Sequence, residues 1–511
     1  MNANLYALFQ SRFPQDRSQI ALETATGDTW SYAQLEDTTA RYAGLIRALG
    51  VVPGDRVCVQ VEKSPEALFL YLACLQSGAV HLPLNSAYQE GEVDYFLGDA
   101  TPKVVVHQPK SDAWMSALCV KHNISHRFTL TEDSGRKIQQ LRGSWHENAL
   151  KAPSMLEIVH RDVDDLAAIL YTSGTTGRSK GAMITHKNLS SNALTLHAYW
   201  GFKPGDILLH ALPIFHVHGL FVACHTALLN GSKMIFHSKF DVSTTIDALL
   251  CANVFMGVPT MYVRLLAEPA FTRKVCSNIR LFVSGSAPLL AETFHTFRER
   301  CGRTILERYG MTETGMITSN PLLGERRGGT VGLPLPGIAL RVQDDAGKTC
   351  PTGEIGGLQV RGDNVLPGYW QMPEKNQEEF TADGYFKTGD VGKIDADGYV
   401  TIVGRSKDLV ISGGYNVYPK EIELLLDEIA GVAESAVIGL PHADFGEAVV
   451  AVIVKKPAAS IIESDVIAAI KGKLAAFKMP KRVFIVEDLP RNAMGKVQKN
   501  ELRKRYAETF Q

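Results

Sequence analysis

Tyr171-Thr172-Ser173-Gly174-Thr175-Thr176-Gly177-Arg178-Ser179-Lys180-Gly181 leaves an apolar run, Leu166 to Tyr171, whose length and content predict a buried strand. Gly174, Gly177 and Gly181 free the backbone, Thr172, Ser173, Thr175 and Thr176 supply short hydroxyls, and Lys180 adds a point charge. Successive backbone N–H groups in such a turn form an anion-binding concavity, and a polyphosphate is the expected occupant. The usual P-loop pattern G-x-x-x-x-G-K-[ST] fails from both Gly174 and Gly177. Gly177-Arg178-Ser179-Lys180-Gly181 formally matches the esterase elbow G-x-S-x-G, without an accompanying HGGG-type oxyanion segment.

Upstream of this stretch, helical and strand patterns alternate. Tyr32 to Leu49 has apolar residues at helical spacing and ends near Gly50. Asp55 to Val61 alternates like a strand, and Ser64 to Gln76 reads as a helix with Ser64 as N-cap and Pro65 in its first position. Ala79 to Leu84 is the next strand, and the alternation continues through Val104–Val106, Leu208–Leu212, Lys233–Phe236 and Ile279–Val283. The expected architecture is a layered α/β core with parallel sheets. After about Gly329, frequent Gly and Pro with short β-like runs such as Gly357–Arg361 predict a β-rich subdomain over about 330–405. From 406 the pattern is α+β: a helix at Pro419–Glu428, strands at Ala436–Ile438 and Val449–Val454, and a helix at Glu463–Ala476. The fold class is therefore multidomain α/β. A large N-terminal domain, 1–405, is followed by a smaller α+β domain, 406–511, of ordinary domain size.

The bulk numbers narrow the class. A chain of 511 residues is too long for one core. With 53 basic and 54 acidic residues the net charge is −1, so no global field attracts nucleic acid or anionic membrane. Eight scattered cysteines, none in a C-x-x-C, argue against zinc and disulfides and fit a reducing cytoplasm. The N-terminus has no signal-peptide pattern, and the most apolar window, Ala67 to Leu84, is broken by Gln76, Ser77, Gly78 and His81. A cytoplasmic enzyme of small molecules is the expectation.

Four further segments carry chemistry. In Glu307-Arg308-Tyr309-Gly310-Met311-Thr312-Glu313, Tyr309 beside Gly310 offers a flat face to a purine, Thr312 a hydroxyl, and Glu313 a hard oxygen ligand for Mg²⁺ among phosphates. In Asp383 to Asp390, Asp390 after the Gly389 turn can accept hydrogen bonds from ribose hydroxyls. Gly404-Arg405-Ser406-Lys407-Asp408 followed by Ser412-Gly413-Gly414 reads as a hinge feeding a narrow passage. Near the C-terminus, Asn492 to Val497 places Gly495-Lys496 on a turn.

In this order the segments resemble the adenylate-forming superfamily of acyl-CoA synthetases, peptide-synthetase adenylation domains and beetle luciferases, and the resemblance spans nearly the whole chain. It implies two half-reactions on a large domain and a small mobile one hinged at Lys407. A carboxylate first attacks the α-phosphate of Mg·ATP to give acyl-AMP and pyrophosphate; coenzyme A then displaces AMP. Carried over, Thr172, Ser173, Gly174, Thr175, Thr176, Gly177 and Lys180 hold phosphates. Glu307, Tyr309 and Gly310, with Ala287 and Pro288, border the adenine, while Asp390 and Arg405 bind ribose. Glu313 binds Mg²⁺, Thr312 contacts phosphate, and Lys496 reaches the reacting groups. Gly413 and Gly414 line the CoA passage, and His216 of Phe215-His-Val-His-Gly219 gates it. The resemblance also makes a lysine acetyltransferase and deacetylase, acting on Lys496, expected partners.

Within this superfamily, Gly257 to Leu266, Val283 to Pro288, Glu307-Arg308-Tyr309 and Met479 to Arg482 are most similar to malonyl-CoA synthetases. The resemblance assigns the distal carboxylate of the acid to Arg264, Ser286 and Arg308. Physically, two arginines and a hydroxyl suit a dianion and would be costly to leave unpaired around an apolar tail. Methylmalonate, differing by one methyl, is an expected secondary substrate. Rivals are a ligase for another short, medium-chain or aryl acid and, from another class, a serine esterase using Ser179.

Overall fold

In the computed structural model, residues 2–131, 143–172, 179–413, 415–457, 459–492 and 495–510 are described. By compactness the chain divides into two units, Met1–Ala339 with Arg361–Gly384, and Leu340–Val360 with Tyr385–Gln511. The division expected at 405/406 rests on the change of sequence pattern, and the hinge at Lys407 on the resemblance; both stand as proposals.

Two sheets, counted among the described residues, build the first unit. The nine-stranded sheet runs in the order Leu333–Pro334, Gly315–Ser319, Ile305–Met311, Leu281–Ser284, Val254–Gly257, Ile207–His210, Lys233–Phe236, Ile20–Thr24, Thr29–Ser31. Its central strands are parallel, as the alternation of patterns predicts. From Ile207–His210 the chain goes first to Lys233–Phe236 on one side, then to Val254–Gly257 on the other. This reversal is a topological switch point, where the carboxyl ends of parallel strands leave a crevice for ligands. The six-stranded sheet runs His126–Thr129, Val104–His107, Arg56–Gln60, Val80–Pro83, Leu166–Thr172, Lys180–Thr185.

The helix Pro65–Ser77 is buried along its whole length. Its sequence is apolar all round, as a helix enclosed on every side must be. Ser64 Oγ accepts the Ala67 N–H at 3.1 Å, Pro65 opens the first turn, and Gly78 closes the helix at φ 75°. Each fully buried Leu or Phe on it contributes about 1.5–3 kcal/mol. Tyr71 joins this helix to the helix His225–Asn230, its hydroxyl 2.7 Å from His225 Nε2.

The second unit has a four-stranded sheet, Ala339–Gln343, Gly356–Arg361, Phe386–Ile394, Val400–Arg405, and a five-stranded one centred on Gly446–Lys455 and Val432–His442. Alternation along these two long strands builds two cores, one holding Val437, Val449, Ala451 and Ile453, the other Ile438, Leu440, Val450 and Val452. Two expectations are corrected. The helix expected over Glu463–Ala476 ends at Ile470, because Gly472 takes φ 82° just beyond it. The strand expected over Ala436–Ile438 extends over Val432–His442; Pro441 is accommodated near its end. No helix among the described residues is long and apolar enough to cross a membrane.

Candidate active site

The Tyr171–Gly181 stretch begins and ends in two paired strands. Leu166–Thr172 and Lys180–Thr185 are antiparallel, with Thr172 opposite Lys180. Ser173, Gly174, Thr175, Thr176 and Gly177 lie outside the described residues, as does Gly414. Ser179 leads into a strand, so the esterase reading fails: a nucleophile elbow needs a strand-to-helix turn. At the mouth of the hairpin, Thr172 donates to Glu313 Oε1 at 3.2 Å and Tyr369 OH donates to the same oxygen at 3.1 Å. Lys180 Nζ sits 3.1 Å from Glu379 Oε1 and 4.0 Å from the centre of the Tyr369 ring. The hairpin thus gathers one buried carboxylate, hydroxyls and one ammonium.

The strand Ile305–Met311 includes Glu307, Arg308, Tyr309 and Gly310. Thr312 and Glu313 follow in the tight turn to Gly315–Ser319. Gly310 is required there, since a Cβ would stand 2.1 Å from the Gly315 carbonyl oxygen. Asn192 clamps the turn by donating to Met316 O and accepting from Met316 N, both at 3.0 Å. Glu307 is buried and its Oε1 accepts the Leu289 N–H at 2.9 Å. That bond fixes the loop carrying Ser286, Ala287 and Pro288, so Glu307 shapes the loop bordering Tyr309 by holding backbone.

Next to Glu307 on the same strand, Arg308 is 3% exposed. Its guanidinium lies on the face of Gly285, where a Cβ would stand 2.4 Å from the guanidinium carbon. Nε and Nη2 have no hydrogen-bond partner among the described residues. Burial pushes its pKa down to about 9, with Tyr262 and Glu307 pulling the other way. Ser286 holds φ 72°, a left-handed backbone that a non-glycine residue adopts at a cost, and its Oγ lies 3.1 Å from His218 Nδ1. His218 is buried, its Nε2 has no hydrogen-bond partner among the described residues, and its pKa is held well below the usual histidine value by burial and then by the Arg308 charge. Backbone strain and donors without a partner among the described residues together make this a candidate ligand site.

The structure therefore brings Ser286 and Arg308 together and adds His218, which sequence reasoning missed although it stands two residues past His216. His216 is half-buried beside Phe215, ring centres 4.6 Å apart, and burial lowers its pKa to about 4. Arg264 is exposed on the helix Pro259–Ala267, and no hydrogen bond or ion pair among the described residues joins it to Ser286 or Arg308.

The second unit holds the other expected residues. Asp390 is buried, faces Arg405 across paired strands, and takes its Nε–H at 2.7 Å. The Asp390 N–H donates to Thr388 Oγ1 at 3.0 Å. Lys496 follows Gly495, whose φ of 74° makes the turn; Asn492 Oδ1 accepts the Lys496 N–H and the Asn492 N–H donates to Lys496 O, both at 3.0 Å. The Lys496 residue is exposed overall, while its ammonium lies in the field of Arg405, Asp390, Lys407 and Asp408. Its pKa is lowered to about 8, first by desolvation and next by Arg405. Lys407 is exposed and Gly413 turns at φ 61°, its N–H donating to Phe445 O at 2.8 Å.

Residues 9–370 match the family described as AMP-binding enzyme, and residues 421–496 match the AMP-binding enzyme C-terminal domain. The chain belongs to the AMP-binding enzymes and, within them, to those that join a carboxylic acid to the thiol of coenzyme A. It is 34% identical over 558 residues to a malonate–CoA ligase of Arabidopsis thaliana, covering 98% of this chain and 89% of that protein. It is 35% identical over 484 residues to a feruloyl-CoA synthase of Amycolatopsis sp, covering 94% of each. Among solved structures, ATP-bound MatB from Rhodopseudomonas palustris is 52% identical, with a TM-score of 0.96 over 100% of both chains.

Proposed function

We propose that the chain is a malonyl-CoA synthetase. Malonate and ATP give malonyl-AMP and pyrophosphate; coenzyme A then gives malonyl-CoA and AMP, with methylmalonate as a slower substrate. The observation that carries this reading is Arg308, a buried guanidinium with two donors that lack a partner among the described residues, set against Gly285 and next to Ser286 and His218. An apolar acid tail would leave those donors unmet, whereas a second carboxylate accepts from them in a fork geometry. The similarity to a malonate–CoA ligase supports the same acid, while the equally similar feruloyl-CoA synthase shows that overall identity does not choose. Arg264 belongs to the proposal through its sequence motif.

In this reading the reacting carboxylate of malonate attacks the α-phosphorus, and the bond to the pyrophosphate oxygen breaks. Lys180 and Thr172 hold the leaving phosphates, Tyr309 stacks on adenine, Asp390 and Arg405 take the ribose, and Lys496 neutralises charge building on the reacting oxygens. Glu313, buried and already accepting two hydroxyl donors, fits a hard cation held by one carboxylate plus phosphate oxygens. When bound, Mg²⁺ there would offset phosphate charge. His216 stands at the proposed gate, and Gly413 with Gly414 borders the proposed CoA passage.

The reading is tested by AMP release with ATP, Mg²⁺ and CoA across malonate, methylmalonate, acetate, butyrate, benzoate and 4-coumarate. Malonate is expected to lead and acetate to be nearly inert; preference for an acid with an uncharged tail would reject the roles given to Ser286 and Arg308.

The lowered Lys496 pKa has its own consequence. The charged ammonium is the useful form, and it is held only below about 8. In acid-dependent ATP–pyrophosphate exchange, which involves no thiol, kcat/KM should fall as pH rises through about 8, because this parameter reports free-enzyme groups. The kcat limb should lie higher, since bound phosphates favour the cation. A kcat/KM flat to pH 10 would remove Lys496 from this role.

A further inference from the structure

Lys63 is a buried lysine that the mechanism does not use. It lies just before the Ser64 cap, is 6% exposed, and its Nζ stands 2.7 Å from His210 Nδ1 and 2.9 Å from His210 O. The ring of Phe236 lies 4.1 Å away. His210 ends the switch-point strand Ile207–His210, and its Nε2 is 2.8 Å from the Gly219 carbonyl.

These distances fix the tautomer. An ammonium has three donors and no acceptor, so the ring nitrogen facing it must carry a lone pair. The ring proton then sits on Nε2, and Nε2–H donates to Gly219 O. Gly219 begins a tight passage: a Cβ there would stand 2.0 Å from the Pro213 carbonyl oxygen. His218 is its immediate neighbour and opens the π-helical turn His218–Cys224. The hydrogen-bond chain therefore runs from Lys63 through His210 to the backbone that aims the His218 imidazole at Ser286.

We propose that Lys63 is a positioning residue for the acid pocket: by holding His210 as the Nε2–H tautomer it pins the Gly219 carbonyl, and with it the His218 ring that braces Ser286. The proposal rests on the reading of Ser286, Arg308 and His218 as the acid pocket. Lys63 acts in this proposal through His210, to which its ammonium is bound. Its effect should fall on the acid more than on ATP: His218 braces the Ser286 end of the loop, whereas Glu307 ties the far end, beyond Ala287 and Pro288, at the Leu289 amide.

The test combines pyrophosphate-exchange kinetics with ¹⁵N spectra of the histidine rings, His210 being assigned by its loss in His210→Gln. The wild-type spectrum should show His210 protonated at Nε2. Lys63→Met should raise the KM for malonate about ten- to a hundredfold, as small displacements of positioning groups do. The KM for ATP should stay at the wild-type value, and His210 should become a mixture of tautomers. Lys63→Arg, also a pure donor, should recover most of the malonate KM. A wild-type His210 protonated at Nδ1 overturns the proposal without any Lys63 variant, which covers the case in which Lys63→Met does not fold. Unchanged malonate KM in Lys63→Met, or equal losses toward malonate and ATP in both variants, also overturns it. If Arg308→Met leaves malonate use intact while the His210 tautomer responds to Lys63→Met, it is the pocket reading that fails.

Discussion

Lys496→Ala should lower malonate-dependent ATP–pyrophosphate exchange by about 10²–10³-fold, the loss typical of removing one preorganised charge-stabilising donor. Thioester formation from supplied malonyl-AMP and CoA should be retained in large part. The asymmetry follows from what each half-reaction demands. Adenylation gathers the charges of a carboxylate and a triphosphate at one centre and needs a cation there, whereas thiolate attack on an acyl-AMP expels AMP and leaves no pyrophosphate to neutralise. The turn supports a dedicated role. Gly495 takes a left-handed backbone, Asn492 binds Lys496 through both main-chain groups, and Arg491 donates to Gly495 O at 2.5 Å. These contacts hold the backbone of Lys496, so the alanine variant removes the ammonium without dismantling its support. Acetylation of Lys496 removes the same charge and should reproduce the same selective loss, reversed by deacetylation. Losing both half-reactions equally, measured separately, would sink the assignment.

Much of this architecture was legible because local signals and burial agree. The strand after Asp165 and the hairpin mouth follow from an apolar run meeting Gly and Thr, and the Ser64-Pro65 cap announces a helix that the structure buries throughout. What stayed hidden is set by long-range packing. His218, His210 and Lys63 lie on three separate segments, and no periodicity links residue 63 to residue 210. Glu307 reads as a nucleotide-facing carboxylate in sequence, yet its fixed oxygen holds the Leu289 amide. The helix from Glu463 was over-extended because apolar spacing continues past Gly472, whose positive φ ends it. Arg264 shows the converse: a motif singled it out, and the structure leaves it exposed.

Arg308→Met should separate activity from stability. Removing the distal-carboxylate donor is expected to cost about 2–5 kcal/mol of malonate recognition, or about 30- to several-thousand-fold in kcat/KM for malonate at about 1.4 kcal/mol per decade. ATP binding, measured by titration without acid, should be preserved, since Tyr309 and the hairpin are untouched. The unliganded protein should gain stability. In the empty pocket the Arg308 guanidinium is desolvated enough to drop its pKa to about 9, and two of its donors have no hydrogen-bond partner among the described residues. Each such buried polar group costs about 1–3 kcal/mol, and methionine fills similar length against Gly285 without that penalty. In a calorimetric scan the shift should appear in whichever transition malonate itself raises in the wild type. A structural arginine predicts the opposite pattern: a destabilised protein whose malonate and acetate use fall together. A recognition arginine predicts a sturdier protein that no longer tells malonate from acetate.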